Sequence, residues 1–349
     1  MKKVRVEDAV GMTLCHDLTA MFDGFKGALF ERGHVIEEAD IPRMLDIGKQ
    51  TVFVWEENAG EIHEEDAALR MAAMCPVEGA HYTEPSEGKV LLNADTEGML
   101  KVDVDLLRKV DAIEDLTITT LPDHYPVRAG ERLASMRIVP LVTKEENIIA
   151  AEKLCEGKQL IRLMPYRPLK AGVVITGSEV YSGRIKDKFE PVVRAKLGQY
   201  PGEIVGVTIC DDDIDMIVAA AKKHLDNGAD FLIFSGGMSV DPDDVTPSSI
   251  RRLAAEVLGD EKAADDAILT HGVPSQPGNM TLIAYIGDIP VLGVPGAAIS
   301  LPTTVFDVVL PQIYAGLKFT MEDVIRLADG GVCQLCKPCH FPNCTFGRY

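Results

Sequence analysis

Four consecutive apolar residues, Phe231 to Phe234, run straight into Ser235-Gly236-Gly237, and no other stretch narrows the choice of fold as far. A strand with no polar position must be covered on both faces, as inside a parallel sheet flanked by helices. The two glycines then break the strand, permit a sharp turn and remove the Cβ that would hold a ligand off the backbone. Beyond them, Thr246-Pro247 reads as an N-cap followed by proline at the first helical position. Strand, glycine loop and helix N-terminus in that order make a seat for phosphate, because free amides and the positive end of the helix dipole face the loop. The loop also carries Asp241, Asp243 and Asp244, and carboxylates beside a phosphate seat are reconciled by a divalent cation between them. Taken alone, the aspartates also read as an acidic surface turn that caps a helix.

The neighbouring sequence repeats the same unit. After the linker Met164 to Pro168, a strand over Val173 to Thr176 ends in Gly177-Ser178-Glu179, with a helix over Ile185 to Leu197. Strand Ile204 to Ile209 ends in Asp211-Asp212-Asp213, ahead of a helix whose Ile214, Ile217, Val218, Ala221 and Leu225 share one face. Strand Val291 to Val294 enters Pro295-Gly296, and a helix follows over Thr303 to Tyr314. Such units stack as an α/β parallel sheet with helices on both sides, and the loops at the strands' carboxyl ends gather at one edge. Neither the dinucleotide fingerprint nor the P-loop is present, which argues against ordinary nicotinamide or kinase chemistry.

The preceding half is written differently. Residues 1–80 and 81–165 read as β-rich accessory regions: a helix over Glu38 to Asp46, strands at Thr51 to Trp55, VLLNAD, GMLKVDV, LTITTL and MRIVPLV, and a helix over Thr143 to Cys155. His16, His34 and His63 have no carboxylate or thiol partner at ligand spacing and read as structural or surface residues. A formal net charge of −19 argues against nucleic acid or an anionic membrane surface as the main partner. With no membrane-length apolar run and no signal segment, a cytoplasmic protein is expected. Of the eight cysteines, Cys15, Cys75, Cys155 and Cys210 are scattered and four crowd into the last seventeen residues, which suggests a reducing compartment and one metal-type cluster.

ITGSEVYSGRIKDKFEPVV, the helix led by three aspartates, SGGMSVDPDDVTP and PVLGVPGAAIS, in that order, resemble the molybdopterin-binding domain of molybdenum cofactor biosynthesis proteins over about residues 166–318. The β-rich half looks like reduced accessory domains of the molybdopterin molybdenumtransferases, the insertases related to the gephyrin E domain. Their usual DNSAMDGYA-type segment is missing. The resemblance implies transferase chemistry in a homo-oligomer: molybdate passed to the two sulfurs of molybdopterin, with magnesium-assisted hydrolysis of the activating adenylate. It makes Asp244 the family's loop aspartate and Asp213 its partner, both catalytic. It assigns Gly177, Ser178, Glu179, Ser235, Gly236, Gly237, Ser239, Asp243, Pro295, Gly296 and Ser300 to ligand binding. Two departures bear on molybdate rather than on pterin. Asn279 follows Pro277-Gly278 where a lysine is usual, and Ala297-Ala298 replace Asn-Pro. Other functions implied by related families are a molybdopterin adenylyltransferase, a nucleotide pyrophosphatase of the competence-damage-inducible protein A type, and a non-catalytic cofactor carrier.

The end of the chain, GGVCQLCKPCHFPNCTFGRY, spaces Cys333, Cys336, Cys339 and Cys344 by two, two and four residues, with His340 among them. Two-residue gaps let successive thiolates converge on one ion, so a zinc site or an iron–sulfur cluster is expected in a short Cys-rich tail over 319–349. As an appendage to a finished sheet domain, it is expected to dock onto a target molybdoenzyme.

Overall fold

The computed structural model describes residues 1–22, 24–56, 59–239 and 241–348; Val240, in the acidic loop, lies outside the described residues. The chain forms two compact units that interleave in sequence. The first takes Met1–Asp95, Val102–Leu121 and Gly130–Arg162, and the second takes Thr96–Lys101, Pro122–Ala129 and everything from Leu163 onward.

In the first unit, Lys2–Arg5 pairs with Thr51–Val54 and Leu18–Phe22 with Phe25–Phe30, around a core of Val6, Leu14, Phe30, Ile36, Met44 and Val52. An antiparallel sheet runs in the order Ala80–Tyr82, Lys89–Ala94, Arg132–Ile138, Leu116–Thr120. Strands expected at 51–55, in VLLNAD, LTITTL and GMLKVDV, and helices near 38–46 and 143–155, all find counterparts. Two helices, Glu64–Ala73 and Val104–Asp111, are additional. Asp103 starts the second by accepting the Leu106 amide at 2.9 Å, a cap that the strand reading of GMLKVDV obscured. The histidine reading needs two corrections: His34 Nε2 lies 2.6 Å from Asp40 Oδ2, so it has a carboxylate partner, and His16 Nδ1 lies 3.7 Å from Cys15 Sγ, so it has a thiol partner. His63 is buried; one ring nitrogen faces the Cys15 carbonyl at 2.5 Å and the other accepts the Glu65 amide at the start of its helix.

The second unit is built on six strands: β1 (Leu169–Thr176), β2 (Gly202–Cys210), β3 (Phe231–Ser235), β4 (Ile268–His271), β5 (Leu282–Ile286) and β6 (Ile289–Val294). Their order across the sheet is β2-β1-β3-β6-β5-β4; the first four run parallel, and β5 runs opposite to its neighbours β6 and β4. The expected parallel sheet is therefore present with an antiparallel edge that sequence reading passed over. β5 and β6 form a hairpin across Gly287-Asp288, with Gly287 at φ +63°, where glycine is the favoured residue.

Alternation along the strands sorts the core into two layers. Phe231 and Ile233 face Phe189, Val193, Val309 and Tyr314, whereas Leu232 and Phe234 face Ile217, Ala221, Ile250 and Leu253. The first layer is closed by helices α2 (Phe189–Leu197) and α7 (Val305–Tyr314), the second by α3 (Ile214–Asp226) and α4 (Thr246–Leu258). Shorter helices complete the unit: α1 (Ser178–Tyr181), α5 (Glu261–Ala267), α6 (Ala297–Ser300) and α8 (Met321–Arg326). The helix expected from Ile185 starts only at Phe189, because Asp187 accepts the amides of Phe189 and Glu190 at 2.9 Å and fixes the start there. Among the described residues no helix is long and apolar enough to cross a membrane.

The end of the chain is not an appendage, contrary to the sequence expectation. Phe346 is 2% exposed and belongs to the α2/α7 core layer. The Cys333 amide donates to the Gln276 carbonyl at 2.9 Å, and the Gln276 amide in turn donates to the Gly331 carbonyl at 2.7 Å. Tyr125 donates its hydroxyl to Asn343, and the Arg348 guanidinium lies 4.8 Å over the Tyr125 ring. The early segments of the second unit, paired with each other as Tyr125 opposite Leu100, are thus locked to residues more than two hundred positions later.

Candidate functional site at the carboxyl edge of the sheet

β1 leads outward to β2, and the chain then crosses back to place β3 on the other side of β1. The strand order therefore reverses between β1 and β3. In open α/β sheets a crevice forms outside the carboxyl ends of strands at such a point. The loops there are Gly177–Glu179 after β1 and Gly236–Asp244 after β3, the two glycine-containing turns singled out in the sequence.

The turn after β3 is held by backbone proximity. Gly236 has φ +89°, and a Cβ on it would stand 2.0 Å from the Thr176 carbonyl oxygen. Gly237, at φ +52°, would bring a Cβ to 2.9 Å from Thr246 Oγ1. Both positions therefore require glycine. Beyond them Met238 is buried, and the sulfur end of its side chain occupies the space that a Cβ on Gly293 of β6 would need. Ser239 is exposed, and its amide donates to Asp244 Oδ2 at 2.8 Å. Asp244 thus closes the loop on itself with one carboxylate oxygen.

Thr246 differs from its expected role. It is the first residue of α4 rather than its cap, and it is fully buried. Its hydroxyl donates to the Gly236 carbonyl at 2.8 Å and lies 2.9 Å from Thr176 Oγ1. The hydroxyl is turned to the strand ends because an unpaired carbonyl at that half-buried turn would be costly. The pairing of Thr176 with Thr246 is additional to the sequence expectation; its signal is a threonine at the end of β1 matched by another after the glycine loop, seventy residues apart. Thr246→Val is expected to lower stability by about 1–3 kcal/mol, since it removes the partner of the buried Thr176 hydroxyl and of the half-buried Gly236 carbonyl while keeping the shape. Chemical denaturation of the variant against wild type checks this.

No side chain caps α4, whereas Asp213 caps α3 by accepting the Met216 amide at 2.8 Å and Thr304 with Asp307 forms a capping box on α7. The uncapped amides of α4, a helix of thirteen residues, lie directly beyond the glycine loop and suit an anionic ligand group.

The loop after β2 joins the loop after β1. Gly177 donates its amide to the Cys210 carbonyl at 3.2 Å, and the Ser178 amide donates to Asp212 Oδ2 at 2.9 Å. The Ser178 hydroxyl also donates to Asp212 at 3.1 Å and to Asp211. Asp211 and Asp212 therefore position Ser178, and Asp213 is the exposed member of the trio. The sequence places all three at the site edge, and the resemblance singles out Asp213 alone for catalysis. Burial pushes the Cys210 thiol up to about 11, so it stays protonated and is no nucleophile. Glu179, Asp241 and Asp243 are exposed. Arg184, Lys186 and Lys188, in the loop that leads from α1 to α2, are exposed cations that sequence reading overlooked.

Pro295, Gly296 and Ser300 follow the carboxyl end of β6. Ser300 is exposed and its hydroxyl donates to the Ala297 carbonyl at 3.4 Å, within α6. The structure thus knits the loops after β1, β2 and β3 together by hydrogen bonds, and β6 meets them through Gly293 against Met238. Among the described residues no three His, Cys, Asp or Glu side chains are grouped to hold a metal ion, here or in the tail.

Residues 172–315 match the family described as "Probable molybdopterin binding domain", and residues 3–56 match one described only as a domain of unknown function. A "CinA-like protein" of Mycobacterium tuberculosis (strain ATCC 25177 / H37Ra) is 35% identical over 94 residues, which cover 26% of this chain and 22% of that protein. The chain thus spans about a fifth of the length of that curated relative. Among solved structures, the molybdopterin biosynthesis enzyme MoaB from Thermus thermophilus is 22% identical, covering 42% of this chain and 91% of that one at a TM-score of 0.31. The tungsten cofactor synthesizing protein MoaB from Pyrococcus furiosus is 19% identical, covering 46% and 98% at 0.32.

Proposed function

Since residues 172–315 form a domain of the probable molybdopterin-binding family, we propose that this chain binds molybdopterin or its adenylate at the carboxyl edge of its sheet and acts in molybdenum cofactor biosynthesis. The observation that carries the reading is the glycine loop at the strand-order reversal, backed by the uncapped N-terminus of α4. The reaction we assign to it is hydrolysis of the adenylate's phosphoanhydride coupled to transfer of molybdate to the pterin. Gly236, Gly237 and Ser239 would offer backbone amides to the phosphate, and Gly177, Ser178 and Glu179 would line the opposite wall.

Magnesium suits such a site, because it binds through one or two carboxylates plus substrate phosphates rather than a full protein cage. Asp244 and Asp213 each use one carboxylate oxygen internally and would hold the ion with Asp243 or Glu179. When bound, the ion would neutralise charge on the cleaved anhydride. Asp244, fixed by the Ser239 amide, would orient the attacking water. Asn279 and Ala297, where insertases carry a lysine and an asparagine, leave the oxyanion side poorer in donors and favour pterin over molybdate as the tighter ligand.

The likeness to a CinA-like protein favours a second reading, a nucleotide pyrophosphatase. Both readings share metal-assisted cleavage of a phosphoanhydride and differ in the group attached to AMP. Calorimetric titration with magnesium present separates them. Binding of molybdopterin or its adenylate, with AMP release from the adenylate, supports the first. Turnover of ADP-ribose without pterin binding replaces it with the second, and no heat from any of the three at sub-millimolar concentration removes both.

A further inference from the structure

All four tail cysteines, Cys333, Cys336, Cys339 and Cys344, line one small cavity of about 40 Å³ together with His340, Thr303 and Phe346. We propose that these four thiols bind a single zinc-type divalent ion, and that this ion clamps the chain's end onto the 275–278 turn and the start of α7. No disulfide occupies any of the four, and all remain accessible in part: Cys336 and Cys339 are exposed, Cys333 and Cys344 half-buried.

One contact marks a tail sulfur as an acceptor, and a second can run in either direction. The Leu335 amide donates to Cys333 Sγ at 3.4 Å, two residues on, and Leu335 holds φ +52°, the bend that turns an amide back toward the preceding sulfur. A thiolate bound to a metal is stabilised by such donors. Thr303 Oγ1 lies 3.1 Å from Cys339 Sγ and can supply a second. The backbone around the cavity is already fixed. Cys333 is bonded through its amide to Gln276, Arg348 donates to the Pro342 carbonyl at 2.9 Å, and Phe346 is buried in the core. The sulfurs do not yet stand in ligating arrangement. Closure on an ion requires the partly accessible sulfurs to converge.

Spacing favours one ion over a cluster. Four sulfurs at about 2.3 Å suffice to surround a single central ion, and the fourth cysteine is a residue too distant for the ferredoxin run and is followed by Thr345 instead of proline. The site is independent of the pterin reading, since no residue is shared between them.

The test uses the full chain purified anaerobically without chelator. Elemental analysis should give about one zinc per chain and neither iron nor sulfide. Cobalt substituted for zinc should show the intense thiolate-to-metal absorption of a four-sulfur tetrahedral site. Cys339→Ser should lose the stoichiometric metal while Cys75→Ser, at a buried thiol in the first unit, keeps it. Iron with acid-labile sulfide, or no metal with four freely titrating tail thiols in the wild-type protein, overturns the proposal. The wild-type readouts stand whether or not the serine variants fold.

Discussion

Gly236→Ala is expected to destabilise the second unit by roughly 2–4 kcal/mol and to cut affinity for the phosphate-bearing ligand by more than about tenfold. Two costs combine. The residue sits at φ +89°, where an L side chain is strained, and its new Cβ would stand 2.0 Å from the Thr176 carbonyl oxygen. Because the obstructing atom belongs to the backbone of β1, no rotamer change can relieve the collision. Either the β3 loop or the end of β1 must move, and both form the crevice. Gly237→Ala makes the internal comparison: its nearest obstacle is the Thr246 hydroxyl at 2.9 Å, a side-chain atom met at a much longer distance than the 2.0 Å approach to backbone at Gly236. Urea denaturation and ligand titration should rank Gly236→Ala well below Gly237→Ala. Equal stabilities for wild type and Gly236→Ala would mean that the loop does not pass so close to β1.

Much of this geometry could be read from local sequence. An apolar run ending in two glycines announces a covered strand and a close-approach turn without any knowledge of the neighbouring strands, and Phe231 to Gly237 forms both. What stayed hidden depends on partners far along the chain. Thr246 looks like a helix cap because its role is set by Thr176, seventy residues earlier. Asp211 and Asp212 look like solvent-facing members of an acidic run, and only the pairing of β1 with β2 shows that they grip Ser178. The tail looked detachable for the same reason: the Tyr125 to Asn343 hydrogen bond and the burial of Phe346 have no signature in a short sequence window. The β5–β6 hairpin is a different failure. Ile286-Gly287-Asp288-Ile289 carries a recognisable two-residue turn, but a strand–helix rhythm that runs from the helix after Pro247 to the strand at Val291 leaves no place for a returning strand.

Asp244→Asn should leave the fold and most ligand affinity in place while lowering release of AMP from molybdopterin adenylate on the order of 10²-fold or more. The substitution is informative because of how the carboxylate is already used. One oxygen accepts the Ser239 amide at 2.8 Å, and the Asn Oδ1 can accept the same bond, so the closed shape of the loop survives. What disappears is the negative charge and the second oxygen, the two features needed to hold a cation or to polarise a water molecule. A structural aspartate would therefore tolerate the change, and a catalytic one would not. Asp213→Asn applies the same logic at the head of α3, where an asparagine can still cap the Met216 amide. If Asp213 and Asp244 hold one ion together, each single variant should shift the magnesium dependence to higher concentration and the double variant should fall short of the product of the two. If Asp213 is a helix cap and nothing more, its asparagine variant should cleave at the wild-type rate, leaving Asp244 to act with the exposed Asp243 or Glu179. Single-turnover AMP release measured across a magnesium series distinguishes these outcomes, and wild-type rates in both variants would show the two aspartates to be turn and cap residues without a part in the chemistry.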